Sequence, residues 1–351
     1  METIIRVVED IEKDYEIIRE GAEYIKKGQL VAFPTETVYG LGANALDAGA
    51  VRRIFEAKGR PSDNPLIVHI GEIDDINELV AHIPSSARLL MDKYWPGPLT
   101  LVLKKASSVP AEITAGLDTV AIRMPSHPVA NALIRESGVP IAAPSANKSG
   151  RPSPTLAKHV IEDLSGRIPF IIDGGECSVG LESTVLDMSR DMPIILRPGG
   201  ITKEMIEDTI GSIEVDRRVL TPPMEGEEIR SPGMKYTHYA PNAPVVIVEG
   251  NIDYMADKIR KVAKYYSSKY KKIIVLSTEE TALMYGDEDF TVFIMGSRAE
   301  PSTIASNLFA LLRECDERNA DIIIAEGVEE THEGLAIMNR MLRAAAFRVI
   351  K

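Results

Sequence analysis

The chain has 351 residues, of which 44% are hydrophobic and 26% charged, with a formal net charge of −12 and two cysteines. That length favours two domains, each large enough to bury its own core. No apolar run approaches bilayer length, and Cys177 and Cys315 are too few for a disulfide framework or thiolate zinc site. The acidic balance disfavours sequence-independent nucleic-acid binding, which depends on cations neutralising phosphates.

The opening METIIRVVEDIEKDYE is too acidic and amphipathic for a targeting peptide, so the cytoplasm is the expected location. Apolar residues at Tyr15, Ile18, Ala22 and Ile25 predict a helix within 12–27 that stops at Gly28. A strand follows at 30–33, closed by Pro34. Asp47 then caps a helix through Ala57 with Gly59 as its terminator, which puts Lys58 and Arg60 at a helix exit. Apolar segments at 66–70, 99–103, 120–124, 141–143, 170–173, 184–187 and 194–197 read as strands of one sheet. They deliver His69, Arg123, Ser145, Ser183 and Arg197 at or near their ends. A mixed α/β fold with a single open cleft over a twisted sheet accounts for this.

Two loops share one chemistry. KGRPSDNPL at 58–66 and PSANKSGRPSPT at 144–155 both combine small hydroxyls, an amide and cations with Gly and Pro, which suits a phosphate-bearing substrate. Residues 211–229 have linker composition. SPGMKYTHYAP at 231–241 is either a surface turn or a functional loop. From Pro244 onward, strands at 245–248, 273–276, 291–295 and 322–325 alternate with helices at 254–270, 304–316 and from about 335. This predicts a small layer fold with a parallel sheet.

Missing motifs narrow the chemistry. No G-x-G-x-x-G opens the first helix of the C-terminal part, and the Gly175 to Gly180 spacing continues Leu181-Glu182 where a P-loop needs Lys and Ser or Thr. The six histidines show no metal-binding spacing, so no metal site of protein side chains is expected. Mg²⁺ carried in by a nucleotide needs none.

PTETVYGLGANA at 34–45, KGRPSDNPL at 58–66, YWPGPLTLVL at 94–103, AIRMPSH at 121–127, APSANKSG at 143–150, GLESTVLD at 180–187 and LRPGG at 196–200 closely resemble, in order, the YrdC family. The resemblance covers roughly 11–210. SPGMKYTHYAP and the trailing domain look like the longer, two-domain form of threonylcarbamoyl-AMP synthase. It implies a YrdC-like twisted mixed sheet with a cationic cleft at 1–210, a linker and candidate active-site lid at 211–243, and a smaller Rossmann-like parallel domain at 244–351.

The activity implied is ATP-dependent joining of L-threonine and bicarbonate into threonylcarbamoyl-adenylate, with Mg²⁺ on the ATP. The product would pass to a separate tRNA threonylcarbamoyl transferase complex. Neither stable nucleic-acid binding nor membrane association is expected. In such a reaction the nucleophile belongs to the substrate, so cations that position and neutralise anions must carry the rate.

Matched residue by residue, the resemblance implies ATP contacts at Lys58, Arg60, Ser62, Thr119, Ser145, Asn147 and Arg197, with Tyr236 and His238 from the lid. Lys58 and Arg60 are the catalytic candidates. It implies threonine contacts at Thr35, His69, Arg123, Ala143 and Ser183, where Arg123 suits a carboxylate because it can hold both oxygens.

Plainer roles compete for the same residues. Thr35 and Thr37 can close a turn, His69 can be a core histidine, and Lys58 and Arg60 can answer a helix dipole. Arg197 can be a surface charge and Asn147 a loop cap, while Trp95 reads as packing rather than a base-stacking platform. Two other classes stand beside the synthase. One is an RNA-binding module with a cationic concave sheet. The other is a relative of the hydrogenase-maturation enzymes, whose acylphosphatase and zinc-finger segments this chain lacks.

Overall fold

The structure, a computed structural model, describes residues 1–222, 239–286 and 288–351. These divide into two compact units, residues 1–149 with 153–219, and residues 150–152 and 220–222 with 239–351.

In the first unit, strands β1 (Ile4–Val7), β2 (Val31–Phe33), β3 (Gly40–Asn44), β4 (Ile67–His69), β5 (Leu99–Lys104), β6 (Thr119–Arg123), β7 (Ile141–Ala142), β8 (Phe170–Asp173), β9 (Thr184–Asp187), β10 (Ile194–Arg197) and β11 (Glu214–Val215) form one mixed sheet. Its order is β1-β8-β2-β3-β7-β4-β6-β5-β9-β10-β11. The helices are α1 (Tyr15–Lys26), α2 (Ala48–Lys58), α3 (Ser85–Tyr94), α4 (Ala111–Thr114), α5 (Pro128–Ser137), α6 (Ala157–Leu164) and α7 (Lys203–Ile210).

Period-two alternation sorts each strand's residues between two faces. One face packs Val68, Leu101, Val120, Ile122 and Leu186 against α2, α3, α6 and α7 in the main core. On the other face α1 and α5 cover Val31, Phe33, Ile141 and Phe170, and so only the β8-β2-β3-β7 part. Further along that face lies a small cluster of Ile67, Val102, Ala121, Val185 and Leu196, to which no helix contributes. This stretch, over β4, β6, β5, β9 and β10, is where polar side chains gather.

The segment 211–219 departs from its linker reading. Glu214 and Val215 pair with β10, and Ile213 and Val219 are buried, so this stretch closes the sheet edge. β3 was hidden because GLGAN has poor strand propensity. A Cβ on Gly42 would lie 2.7 Å from the Phe33 ring and 2.9 Å from Ile141, so the sheet needs glycine there.

The second unit has strands β12 (Val245–Val248), β13 (Ile273–Ser277), β14 (Thr291–Ile294), β15 (Ile322–Glu326) and β16 (Val349–Ile350). All neighbours are parallel, in the order β14-β13-β15-β12-β16. Helix α8 (Met255–Ser267) covers one face through Ile259 and Val262, and α9 (Glu279–Ala282) is a single turn after β13. The alternate strand residues Ile247, Leu276 and Ile323 are equally buried, which places α10 (Pro301–Glu317) and α11 (Glu333–Ala344), packed on each other, against the opposite face. The two cysteines are buried and unbridged, and burial pushes both thiols up. Among the described residues no helix is long and apolar enough to cross a membrane.

Candidate active site

α2 presents Lys58. Asp47 caps its start, its Oδ1 accepting from Gly49 N at 2.8 Å and Ala50 N at 3.1 Å, and Gly59 ends it in the left-handed conformation at φ 62°. Lys58 is therefore the last helical residue, and it is only 4% exposed. Its Nζ donates to Ser145 O, to Asn147 O at 2.6 Å and to Asn147 Oδ1 at 3.3 Å. Ser145 Oγ donates to Asn147 Oδ1 at 2.6 Å, and Lys58 O accepts from Ser149 N at 3.0 Å. This is more than a helix charge answering its own dipole, because Lys58 organises the loop that follows β7. Arg60 bends back over its loop, Nη2 reaching Asn64 O at 3.4 Å and Pro65 O at 3.3 Å, while Ser62 is exposed.

A second group sits at the far ends of two parallel strands. β4 and β6 pair His69 with Arg123, and both side chains are buried. Arg123 Nη1 donates to Thr37 Oγ1 at 2.8 Å and Nε to Gly97 O at 3.3 Å. Nη2 lies 2.7 Å from Glu36 Oε1, off the hydrogen-bond axis, so the contact is an ion pair by distance rather than an aligned bond. Burial alone would raise the Glu36 carboxyl, yet Arg123 holds it below its usual value. For His69 burial comes first and the Arg123 charge adds to it, lowering the imidazole to about 3. Its Nδ1 has no hydrogen-bond partner among the described residues. His69 is thus a neutral donor or acceptor at physiological pH.

Thr35 does serve a turn. Its Oγ1 donates to Val38 O at 2.6 Å and accepts from Thr37 N and Val38 N, both at 3.2 Å. Thr37 is the hydroxyl that Arg123 uses. Ala143 N donates to Ile67 O at 3.0 Å, which seats the start of the Ser145 loop beside β4.

Ser183, Thr100 and Arg197 form a third group. Ser183 Oγ lies 2.7 Å from Thr100 Oγ1, and Arg197 donates from Nη2 to Ser183 Oγ and from Nε to Ser183 O, both at 3.1 Å. The bulge between Ile195 and Arg197 turns the arginine inward, so it is buried rather than a surface charge. Trp95 is packing, its Nε1 donating to Leu99 O at 2.7 Å.

Strand register orders these groups. Ile67 pairs with Ala121, which puts Thr119 with the Lys58–Ser145–Asn147 loop near the starts of β4 and β6, and His69 and Arg123 at their ends, about 7 Å away along β4. Antiparallel β5 brings Thr100 to the Arg123 end. Ser183 and Arg197 come with it, so Arg197 stands with the threonine candidates rather than with Lys58. Tyr236 and His238 lie outside the described residues.

Sequence reasoning missed several buried polar residues inside its own motifs, Thr100, Glu36 and Asn64 among them. Glu36 compensates Arg123. Asn64 is buried, and neither side-chain amide atom has a hydrogen-bond partner among the described residues. A carboxylate between two threonines and an amide in KGRPSDNPL were the available signals. Among the described residues no cluster of His, Cys, Asp and Glu could hold a metal.

A mixed sheet with one open face and buried cations at both ends of it is the architecture of a YrdC-like α/β protein. Residues 23–199 match the Sua5/YciO/YrdC family, described as Telomere recombination, and residues 201–346 match the family described as Threonylcarbamoyl-AMP synthase, C-terminal domain. The chain is 51% identical to a threonylcarbamoyl-AMP synthase of Bacillus subtilis, over 99% of this chain and 98% of that one. It is also 51% identical to one of Pyrococcus abyssi over the whole of both. A crystal structure of P. abyssi Sua5 complexed with L-threonine superposes with a TM-score of 0.92 at 50% identity, covering 99% of each chain. The chain belongs to the two-domain threonylcarbamoyl-AMP synthase family and is an enzyme of the nucleotidyltransferase kind.

Proposed function

We propose that this enzyme condenses L-threonine, bicarbonate and ATP into threonylcarbamoyl-AMP, pyrophosphate and water, the first step of threonylcarbamoyladenosine modification of tRNAs reading codons that start with A. The observation that carries the reading is the division of one open sheet face into two cationic ends. Lys58 and the Ser145–Asn147 loop stand at one end, and Arg123, His69, Ser183 and Arg197 at the other. Full-length likeness to proteins bearing the synthase name, and to a structure holding L-threonine, supports it.

The threonine amine and bicarbonate form a carbamate with loss of water. A carbamate oxygen then attacks the α-phosphorus and the bond to pyrophosphate breaks. Arg123 takes the amino-acid carboxylate, with Glu36 and Thr37 holding its fork. Neutral His69 offers a hydrogen bond without adding charge. Lys58, Arg60, Ser62, Thr119, Ser145 and Asn147 receive the nucleotide. Arg197, at the threonine end, neutralises the phosphate nearest the carbamate. Mg²⁺ entering with ATP supplies further charge neutralisation. The product passes to a tRNA threonylcarbamoyl transferase.

An omission series tests the proposal. Pyrophosphate release that requires threonine, bicarbonate and ATP together, with the adenylate detected by mass, is expected. Release without threonine, or salt-sensitive RNA binding without turnover, overturns it.

A further inference from the structure

The C-terminal unit buries a polar network of its own. Glu326, last residue of β15, is 0% exposed. It accepts from Thr278 N at 3.3 Å, Thr278 Oγ1 at 3.1 Å, Thr281 Oγ1 at 2.6 Å and Tyr285 Oη at 2.5 Å. Arg298 pairs with it at 3.2 Å and is fixed again by Nε to Thr278 Oγ1 at 3.1 Å and Nη2 to Gly327 O at 2.9 Å. Such a buried pair contributes little to stability compared with apolar packing. Its physical effect is to lock a guanidinium in one orientation. Nε and Nη2 are engaged, which leaves Nη1 with no partner among the described residues.

Arg298 lines a cavity of about 350 Å³ at the carboxyl ends of the strands. From β13 the chain runs outward to β14, and from β15 it runs the other way to β16, so the sheet reverses direction between neighbours. Open parallel sheets bind their ligands at this position. Glu329 and Glu333 line the same cavity, with Ile304 and Val328 as its apolar wall. The turn carrying both carboxylates is tight, since a Cβ on Gly334 would lie 1.9 Å from Glu329 O.

Glu280 meanwhile occupies the neighbouring amides, its Oε1 accepting from Ser297 Oγ and Arg298 N at 2.7 Å and from Ala299 N at 3.3 Å. Those amides are already satisfied by a carboxylate, so the guanidinium remains to recognise an anion. Two acidic side chains on the wall disfavour a phosphate ester. They suit a ligand that carries a positive charge as well as a negative one.

We propose that this cavity is a second, non-catalytic site for a free α-amino acid. Arg298 Nη1 takes its carboxylate, Glu329 and Glu333 its ammonium, and Ile304 and Val328 its side chain. Titration calorimetry on the full chain without ATP tests this, using each common L-amino acid, its methyl ester, its N-acetyl derivative and inorganic phosphate. At least one amino acid is expected to bind, and to lose affinity at least about tenfold in Arg298→Met and in the Glu329→Gln, Glu333→Gln double variant, the effect of losing one charge-assisted contact. Its ester and N-acetyl forms should not bind.

The double variant changes the turn after β15 and the first residue of α11 and removes no hydrogen bond to Glu326, so it keeps the test sharp if Arg298→Met disturbs that network. The absence, for every amino acid, of a binding event that these three substitutions weaken, threonine binding in the catalytic cleft being expected to survive them, or a methyl ester or phosphate that binds as well in a manner dependent on Arg298, overturns the proposal. Pyrophosphate release by the double variant is measured in parallel, which separates failure here from failure of the synthase reading.

Discussion

Replacing Glu36 with alanine strands Arg123 in a setting where its side chain is 4% exposed. Removing one partner of a buried pair costs about 3–5 kcal/mol, because the remaining charge stays desolvated. Thr37 Oγ1 and Gly97 O still accept from the guanidinium, which points to the lower part of that range. The pH dependence follows from the direction of the Glu36 shift. Its folded carboxyl lies below the usual 4.5, so the pair's stability is fully present above that value and disappears as pH falls through the depressed folded one. Urea unfolding of the wild type and Glu36→Ala should show a constant gap from neutral pH down to about 5, closing at lower pH. The double variant Glu36→Ala, Arg123→Met should recover part of the loss. A gap within about 0.5 kcal/mol, the spread of ordinary surface changes, would refute the reasoning. So would a gap that stayed constant into strong acid.

Lys58→Ala removes the donor shared by Ser145 O and Asn147 O, and we expect pyrophosphate release to fall by about 10²–10³, the scale of losing one transition-state donor. Measuring kcat with ATP saturating checks this. His69, lowered to about 3, should show no chemical-shift titration by NMR between pH 8 and 5, and a midpoint near the ordinary histidine value would contradict its burial against Arg123. Because the unfolded imidazole protonates more readily, this group destabilises the fold as pH drops below the model-peptide value of about 6.5. Asp47→Ala should cost about 0.5–2 kcal/mol in urea unfolding through loss of the α2 cap.

Much of the architecture was legible in the chain because strong signals coincided with their structural causes. Asp47 and Gly59 marked both ends of α2, and the apolar runs at 170–173, 184–187 and 194–197 became strands with those bounds. Where the signal and the cause parted, the reading failed. β3 depends on Gly42 because Phe33 and Ile141 crowd it, a packing demand that looks like a loop in sequence. Glu214 and Val215 pair at a sheet edge too short to show periodicity. In the cleft the cations were conspicuous, whereas Glu36 was invisible as Arg123's partner, since the pair joins the loop after β2 to the end of β6, residues far apart in the chain that only the folded sheet brings together.

That register has a consequence for any attempt to reshape the cleft. Val68 and Ile122 stand next to His69 and Arg123 on their strands and point into the main core. Sliding either strand by a single position would bury the histidine or arginine among aliphatics and turn these hydrocarbons out toward substrate. Alignment of the reacting groups is therefore guarded from behind the sheet. An engineer seeking a roomier pocket for another amino acid should vary the small apolar residues Ala121 and Val185 and leave Val68 and Ile122 alone.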